Sequence, residues 1–371
     1  MTDKIVVPNS EGSFSSGILC GEWLYFSAYR ANALFKKNII TGEQILLHKL
    51  ERIVGGTEVH ESAYCIGKNI FFIPFGNHRL QILRYNMEDN TCHYIDVPDA
   101  TSCGRRAFIP ECFETEQDIW LIPRMYGGIL CINKQTYEVR RIDNWPQEIC
   151  EHDLGREKFS SGVMINQKIY LCPYDSQSLV AFDTNTKEFE ILCTGLKEFK
   201  YQKIVHNDGK LYLLPFSITE EIVIYDLVTG KLSKENYELP KCLENHIFYA
   251  QETFDNINIW MFPFQGNCIV KYNLKNKSAK VIELVRENKN EKCLKMEYWI
   301  ASKEENTILV SMLDSESPYI IVRGDDTVIM GSVSLTTAME IDSLMRLELL
   351  DESITESDRK TIGLTIYEKL N

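Results

Sequence analysis

Five times in this chain an apolar run ends in proline: "IFFIP" at Pro74, "IWLIP" at Pro123, "IYLCP" at Pro173, "LYLLP" at Pro215 and "IWMFP" at Pro263. A strand that is apolar on both faces must be covered on both, and proline, which cannot donate to a ladder, can stand only at its end. Each run is therefore read as a strand sandwiched within a layered all-β structure. "WLYFSAY", ending at Tyr29, and "TILVSML", ending at Leu313, are degenerate first and last members of the series. About eleven residues beyond each member comes a second mark, "ILRYN", "ILCIN", "LVAFD", "IVIYD" or "IVKYN", with "LFKKN" as the first version and "IIVRGDD" as the last. The closing Asn or Asp introduces "IITGE", "TNTKE", "LVTGK" or "LKNKS", where a short polar side chain can bond its own turn and Gly or Asn accepts a positive φ. These are tight hairpins between third and fourth strands.

The prolines recur every 42 to 50 residues, which is the period of propeller blades. No helical pattern separates the strands, so parallel α/β sheets and helical solenoids are excluded in favour of an antiparallel closed array without exposed edges. The fold class expected is all-β: a seven-bladed β-propeller of four-stranded antiparallel blades over residues 1–335. The repeats fall at about 13–50, 51–100, 101–147, 157–195, 196–240, 245–284 and 292–335. "KIVVP" at Lys4 to Pro8 precedes them and is expected to pair with the last blade. Residues 336–371 form a tail in which Ile341, Leu344, Met345 and Leu349, then Ile362, Ile366 and Leu370 after a Thr355-x-x-Asp358 capping box, predict two short amphipathic helices. "MYGGILC" around Gly127 and Gly128 resembles the double glycine of kelch repeats, and the repeat pattern is similar to a propeller of kelch-like or unclassified type. That resemblance implies the fold and no activity.

A formal charge of −13 without a long Lys/Arg tract argues against nucleic acid as a partner. No run approaches the roughly 20 apolar residues that span a bilayer, and the first residues lack a signal-peptide core, so the expectation is a cytoplasmic protein with no membrane partner. The 12 cysteines are dispersed, with no C-x-x-C pair, and are read as mostly buried thiols rather than bridges or metal ligands. No metal and no cofactor is expected. H-E-x-x-H, G-x-S-x-G and P-loop signatures are all missing.

"FSSG" occurs at Phe14 to Gly17 and again at Phe159 to Gly162. Counting back about 14 residues from each proline or its equivalent gives Phe14, His60, Ile109 beside Phe108, Phe159, Tyr201, Tyr249 and Tyr298 as starts of the innermost strands. Because first and second strands are antiparallel, those starts share a face with the segments after the prolines. Candidate ligand-binding residues on that face are Ser15, Ser16, His60, Glu61, Glu111, Ser160, Ser161, Gln202, Lys203 and Gln251 from strand starts. The post-proline loops add Arg30, His78, Arg79, Arg124, Tyr126 and Tyr174. Arginines beside aromatic rings suit a polar or anionic small molecule, a glycan or a protein segment, through bidentate contacts and stacking. The expectation is a non-catalytic binding or scaffold protein. The alternative is a carbohydrate-acting hydrolase or lyase at the same face, with Glu61 or Glu111 as acid or base and Arg30, Arg79 or Arg124 holding an anionic group. Two carboxylates converging with an Arg would favour chemistry, and scattered ones binding.

Overall fold

The computed structural model describes residues 3–7, 14–28, 33–50, 60–74, 81–98, 108–124, 126–150, 158–198, 200–217, 219–240, 243, 248–263, 268–286, 298–304, 306–312 and 319–333. The expected helices of residues 336–371 lie outside the described residues. Within them the chain forms seven antiparallel sheets whose four consecutive strands run in sequence order, the blades of a β-propeller.

Blade one holds β2 (Phe14–Cys20), β3 (Trp23–Ala28), β4 (Ala33–Asn38) and β5 (Gln44–Lys49). Blade two holds β6 (His60–Ile66), β7 (Asn69–Pro74), β8 (Gln81–Asn86) and β9 (Thr91–Asp96). Blade three holds β10 (Phe108–Glu114), β11 (Asp118–Pro123), β12 (Ile129–Asn133) and β13 (Val139–Ile142), followed by the short helix α1 (Gln147–Cys150). Blade four holds β14 (Phe159–Ile165), β15 (Lys168–Pro173), β16 (Leu179–Asp183) and β17 (Phe189–Cys193). Blade five holds β18 (Tyr201–Asn207), β19 (Lys210–Pro215), β20 (Ile222–Asp226) and β21 (Leu232–Glu235). Blade six holds β22 (Phe248–Thr253), β23 (Asn258–Pro263), β24 (Cys268–Asn273) and β25 (Ala279–Arg286). Blade seven holds β26 (Tyr298–Glu304), β27 (Thr307–Met312), β28 (Tyr319–Arg323) and β29 (Val328–Gly331).

Two compact units divide the chain. One comprises Met1–Tyr94, Gln265–Cys268 and Ile282–Asn371, and so contains blades one, two and seven. The other comprises Ile95–Phe264 and Ile269–Val281, with blades three to five and most of six. In the first unit the chain's earliest and latest blades meet: the Phe14 and Tyr319 rings lie 6.0 Å apart, and Lys37 Nζ donates to the Ser332 carbonyl. In the second, β10, β14, β18 and β22 lie side by side.

The five prolines hold equivalent positions, each across from the first residue of its blade: His60 with Pro74, Phe108 with Pro123, Phe159 with Pro173, Tyr201 with Pro215 and Phe248 with Pro263. Phe108 and Phe248 thus occupy the start position, one residue earlier than the expected Ile109 and Tyr249. Spacing alone missed this because the bulge of blade three and the first hairpin of blade six are each one residue longer than in blade four, on top of a register slip common to the first strands. The slip lies between Phe14 and Ser16, His60 and Ser62, Phe159 and Ser161, Tyr201 and Lys203, and Phe248 and Ala250. Such a bulge adds a residue and re-aims the side chains beside it.

The hairpin chemistry is as the Asx residues demand. Asn38, Asn133, Asp183, Asp226 and Asn273 each accept, through Oδ1, from the backbone N–H groups two and three residues on, at 2.8 to 3.1 Å. The second glycine of "MYGG" also has a local cause, since a Cβ at Gly128 would stand 2.6 Å from the Ile142 carbonyl oxygen.

One element departs from expectation. β1 (Asp3–Val7) pairs in parallel with β25, from Asp3 opposite Ile282 to Val7 opposite Arg286, as a fifth strand on blade six. It was expected on the last blade.

Candidate functional site

The bulged starts of the first strands gather the polar groups of the second unit. Glu111 precedes Cys112, which pairs with Leu121; Ser161 precedes Gly162, which pairs with Leu171; Lys203 precedes Ile204, which pairs with Leu213. Leu121, Leu171 and Leu213 each lie two residues before the blade's proline, so Glu111, Ser161 and Lys203 are equivalent positions in blades three, four and five. Across the small Ser161, Lys203 Nζ donates to Glu111 Oε1, and it donates to Glu252 Oε2 of blade six at 2.6 Å. The other oxygen of Glu252 accepts from the Thr253 N–H at 3.0 Å. The side chains of Lys203, Glu252 and Glu111 are only 7%, 3% and 13% exposed, so this is a buried ion-pair network. Burial alone would lower the Lys203 pKa, but Coulomb attraction and hydrogen bonds from both carboxylates outweigh it and hold the ammonium above its ordinary range.

The neighbouring serines join blade to blade. Ser160 Oγ donates to the Tyr201 carbonyl at 2.9 Å, and Ser161 Oγ accepts from the Ile204 N–H at 2.9 Å. Gln251 Nε2 donates to the Pro215 carbonyl at 2.8 Å. Burial pushes the Cys172 thiol up to about 12, against hydrogen bonds with Ser160 and Ser161. In the first unit, His60 Nδ1 lies 3.0 Å from Ser27 Oγ and its ring 5.5 Å from that of Phe72. Burial drives its pKa down to about 3, so the imidazole is neutral near pH 7. Ser16 is buried, and its Oγ finds no hydrogen-bond partner among the described residues.

A second set lies at the proline ends of blades three to five. The Arg124 carbonyl accepts from the Lys158 N–H, and the Lys158 carbonyl from the Tyr174 N–H; Lys200 repeats the latter bond with Phe216. The Tyr174 and Phe216 rings meet edge-on at 5.6 Å. Lys158 Nζ sits 5.0 Å over Trp145, while Lys200 Nζ is 3.0 Å from Glu220 Oε2 and 5.6 Å over Tyr201. Hydrogen bonding to Lys200 holds the Glu220 carboxyl below its usual range. Tyr126 is buried, with its hydroxyl donating to the Pro98 carbonyl at 2.5 Å.

Of the residues singled out in the sequence, Glu111 and Lys203 come together, with Ser160, Ser161 and Gln251 in the same unit as inter-blade links. Gln202 is half-buried beside Lys203 in sequence. Ser15 and Glu61 lie in β2 and β6. Arg30, His78 and Arg79 lie outside the described residues. Sequence reasoning missed Glu252, Lys158 and Lys200. The signal was present for each: a carboxylate inside the otherwise covered strand "FYAQET", and a Lys directly before the aromatic that opens blades four and five.

No protein-family model matches the chain, and no curated protein matches it in sequence. Solved structures do match. Virginiamycin B lyase from Staphylococcus aureus superposes with a TM-score of 0.59 at 13% identity, over 83% of this chain and 94% of that one. YCF48 bound to D1 peptide gives 0.56 at 8% identity, over 90% and 96%. What this chain shares with both is the β-propeller fold.

Proposed function

We propose that the chain is a non-catalytic binding or scaffold protein that presents the proline ends of its blades to a polar or anionic ligand, whether a small molecule, a glycan or a protein segment. The observation that carries this reading is the buried network in which the Lys203 ammonium takes up both converging carboxylates, Glu111 and Glu252. Proton transfer at neutral pH needs a group whose pKa lies near 7. Here Lys203 is pushed up, Cys172 is pushed up to about 12 and His60 is pushed down to about 3. Each is held in one state, which serves structure and fixed recognition rather than acid–base exchange.

The hydrolase or lyase alternative asks for a carboxylic acid facing a second carboxylate across the substrate. Glu111 and Glu252 do converge, but on the ammonium of Lys203, which occupies the place between them. A cation beside rings favours an anion instead: Lys158, whose ammonium lies over Trp145, is bonded through its backbone to Arg124 and Tyr174, while Lys200 is already paired with Glu220. The fold serves a lyase and a peptide complex in the two solved structures above, so ligand class is argued from these side chains alone.

Thermal melting in increasing sulfate, phosphate and glucuronate tests the reading. The wild type is expected to gain stability with ligand, by about 2.7 kcal/mol at a hundredfold excess over Kd. An Arg124→Ala, Lys158→Ala double variant is expected to lose most of that response. Equal or absent shifts in the two proteins would end the anion-site proposal.

A further inference from the structure

β25 spans eight residues, whereas the outer strands of the other blades span four to six. Its Ile282 and Leu284 are buried, 2% exposed each, so its apolar face belongs to the core while its outer backbone edge is taken by β1. This pairing is parallel, and it joins residues about 280 positions apart in the chain through five registered positions. A lone edge strand stands at the low end of local stability, and an edge that loses it presents a row of unpaired N–H and C=O groups that templates another strand.

We propose that this edge is a strand-acceptor site whose occupant in trans is β1 of a second copy of the chain, two molecules exchanging their N-terminal strands. The only sequence seen to fit the edge among the described residues is Asp3–Val7, and every copy carries it. Exchange restores the same five registered positions in each molecule and alters only the connection, which makes it a low-cost route to a closed dimer. That connection is residues 8–13 and begins with Pro8. Short hinge connections invite such an exchange. The competing strand in cis acts at a millimolar effective concentration, so the exchanged dimer is a species of concentrated protein.

Register supplies the test. Lys4 pairs with Glu283. Full-length chains carrying only Lys4→Cys are mixed with chains carrying only Glu283→Cys, incubated at a series of concentrations, oxidised and mapped by mass spectrometry. The link between the two engineered thiols can form in that mixture only across two molecules. The linked fraction is expected to rise about tenfold for each tenfold rise in protein while dimer is the minor species. The Lys4→Cys, Glu283→Cys double variant shows whether the register itself is right. A link in the double variant with none in the mixture at millimolar protein overturns the proposal. So do a double variant that fails to link, and a two-chain product joined only through other cysteines.

Discussion

Replacing Lys203 with methionine removes a cation that two buried carboxylates share. In the wild type its ammonium donates to Glu111 and Glu252, whose side chains are 13% and 3% exposed. With methionine there, like charges face each other across a dry space, and breaking a buried ion pair by deleting one partner costs about 3–5 kcal/mol. The sign of the pH dependence follows. The wild-type Lys203 pKa is raised above 10.5, so its contribution is fully present below that value and is lost only as pH climbs through the higher folded one. Between pH 5 and 9 it is flat. In Lys203→Met one carboxyl must take up a proton to avoid repulsion, so the folded variant binds more protons than the unfolded chain and its stability falls as pH rises. Urea unfolding followed by tryptophan fluorescence and far-UV circular dichroism at pH 5 and pH 8 reads both effects. The triple variant Glu111→Gln, Lys203→Met, Glu252→Gln is expected to recover most of the loss, because a buried network replaced as a unit is often nearly neutral. A loss below about 1 kcal/mol for Lys203→Met at pH 8, against the 3–5 expected, would refute the reasoning, as would an equal loss at both pH values.

The two FSSG copies are expected to respond oppositely to the same change. Ser161→Ala leaves the buried Ile204 N–H without its acceptor and should cost about 1–3 kcal/mol in denaturant unfolding, whereas Ser16→Ala, which removes a hydroxyl with no hydrogen-bond partner among the described residues, should be neutral or mildly stabilising. Gly162→Ala would place a Cβ 2.9 Å from Phe113 Cζ, and overpacking of this kind should lower stability by about 1–3 kcal/mol, read the same way.

Blade number and strand order are legible in the sequence because they rest on local chemistry. A proline must end a covered strand, and an Asn or Asp must bond its own turn, wherever the blade sits. What lies beyond the blade was not legible. Phe14–Gly17 and Phe159–Gly162 are the same four residues, yet Ser161 meets the backbone of the next blade and Ser16 finds no such partner among the described residues; the difference resides in the surroundings and not in the tetrapeptide. A longer bulge in blade three and a longer hairpin in blade six turned spacing counts by one residue at Phe108 and Phe248. Glu111 and Lys203 were singled out as separate candidates, because nothing in a linear pattern says that a lysine of blade five reaches past a serine of blade four to blade three. Glu252 sits two residues beyond Ala250, on the strand face that completes the network, a relation visible only once blades five and six stand side by side. The partner of "KIVVP" followed the same rule. Its strand character was plain from composition, and its place on blade six rather than blade seven was not.

The proposal of a non-catalytic binder requires that the buried ionisable groups beside the first-strand starts stay in one protonation state and serve structure. Nuclear magnetic resonance titration of the protein labelled at histidine Cε1 and lysine Cε, with His60→Gln and Lys203→Met as assignment controls, measures it most directly. The account predicts a His60 resonance that stays at its neutral position from pH 8 down to at least pH 5, in keeping with a pKa driven to about 3, and a Lys203 resonance that stays ammonium-like past 10.5. A His60 titration centred near 6.5, or a Lys203 that loses its proton between pH 7 and 9, would contradict it and return both groups to the list of candidate acids and bases.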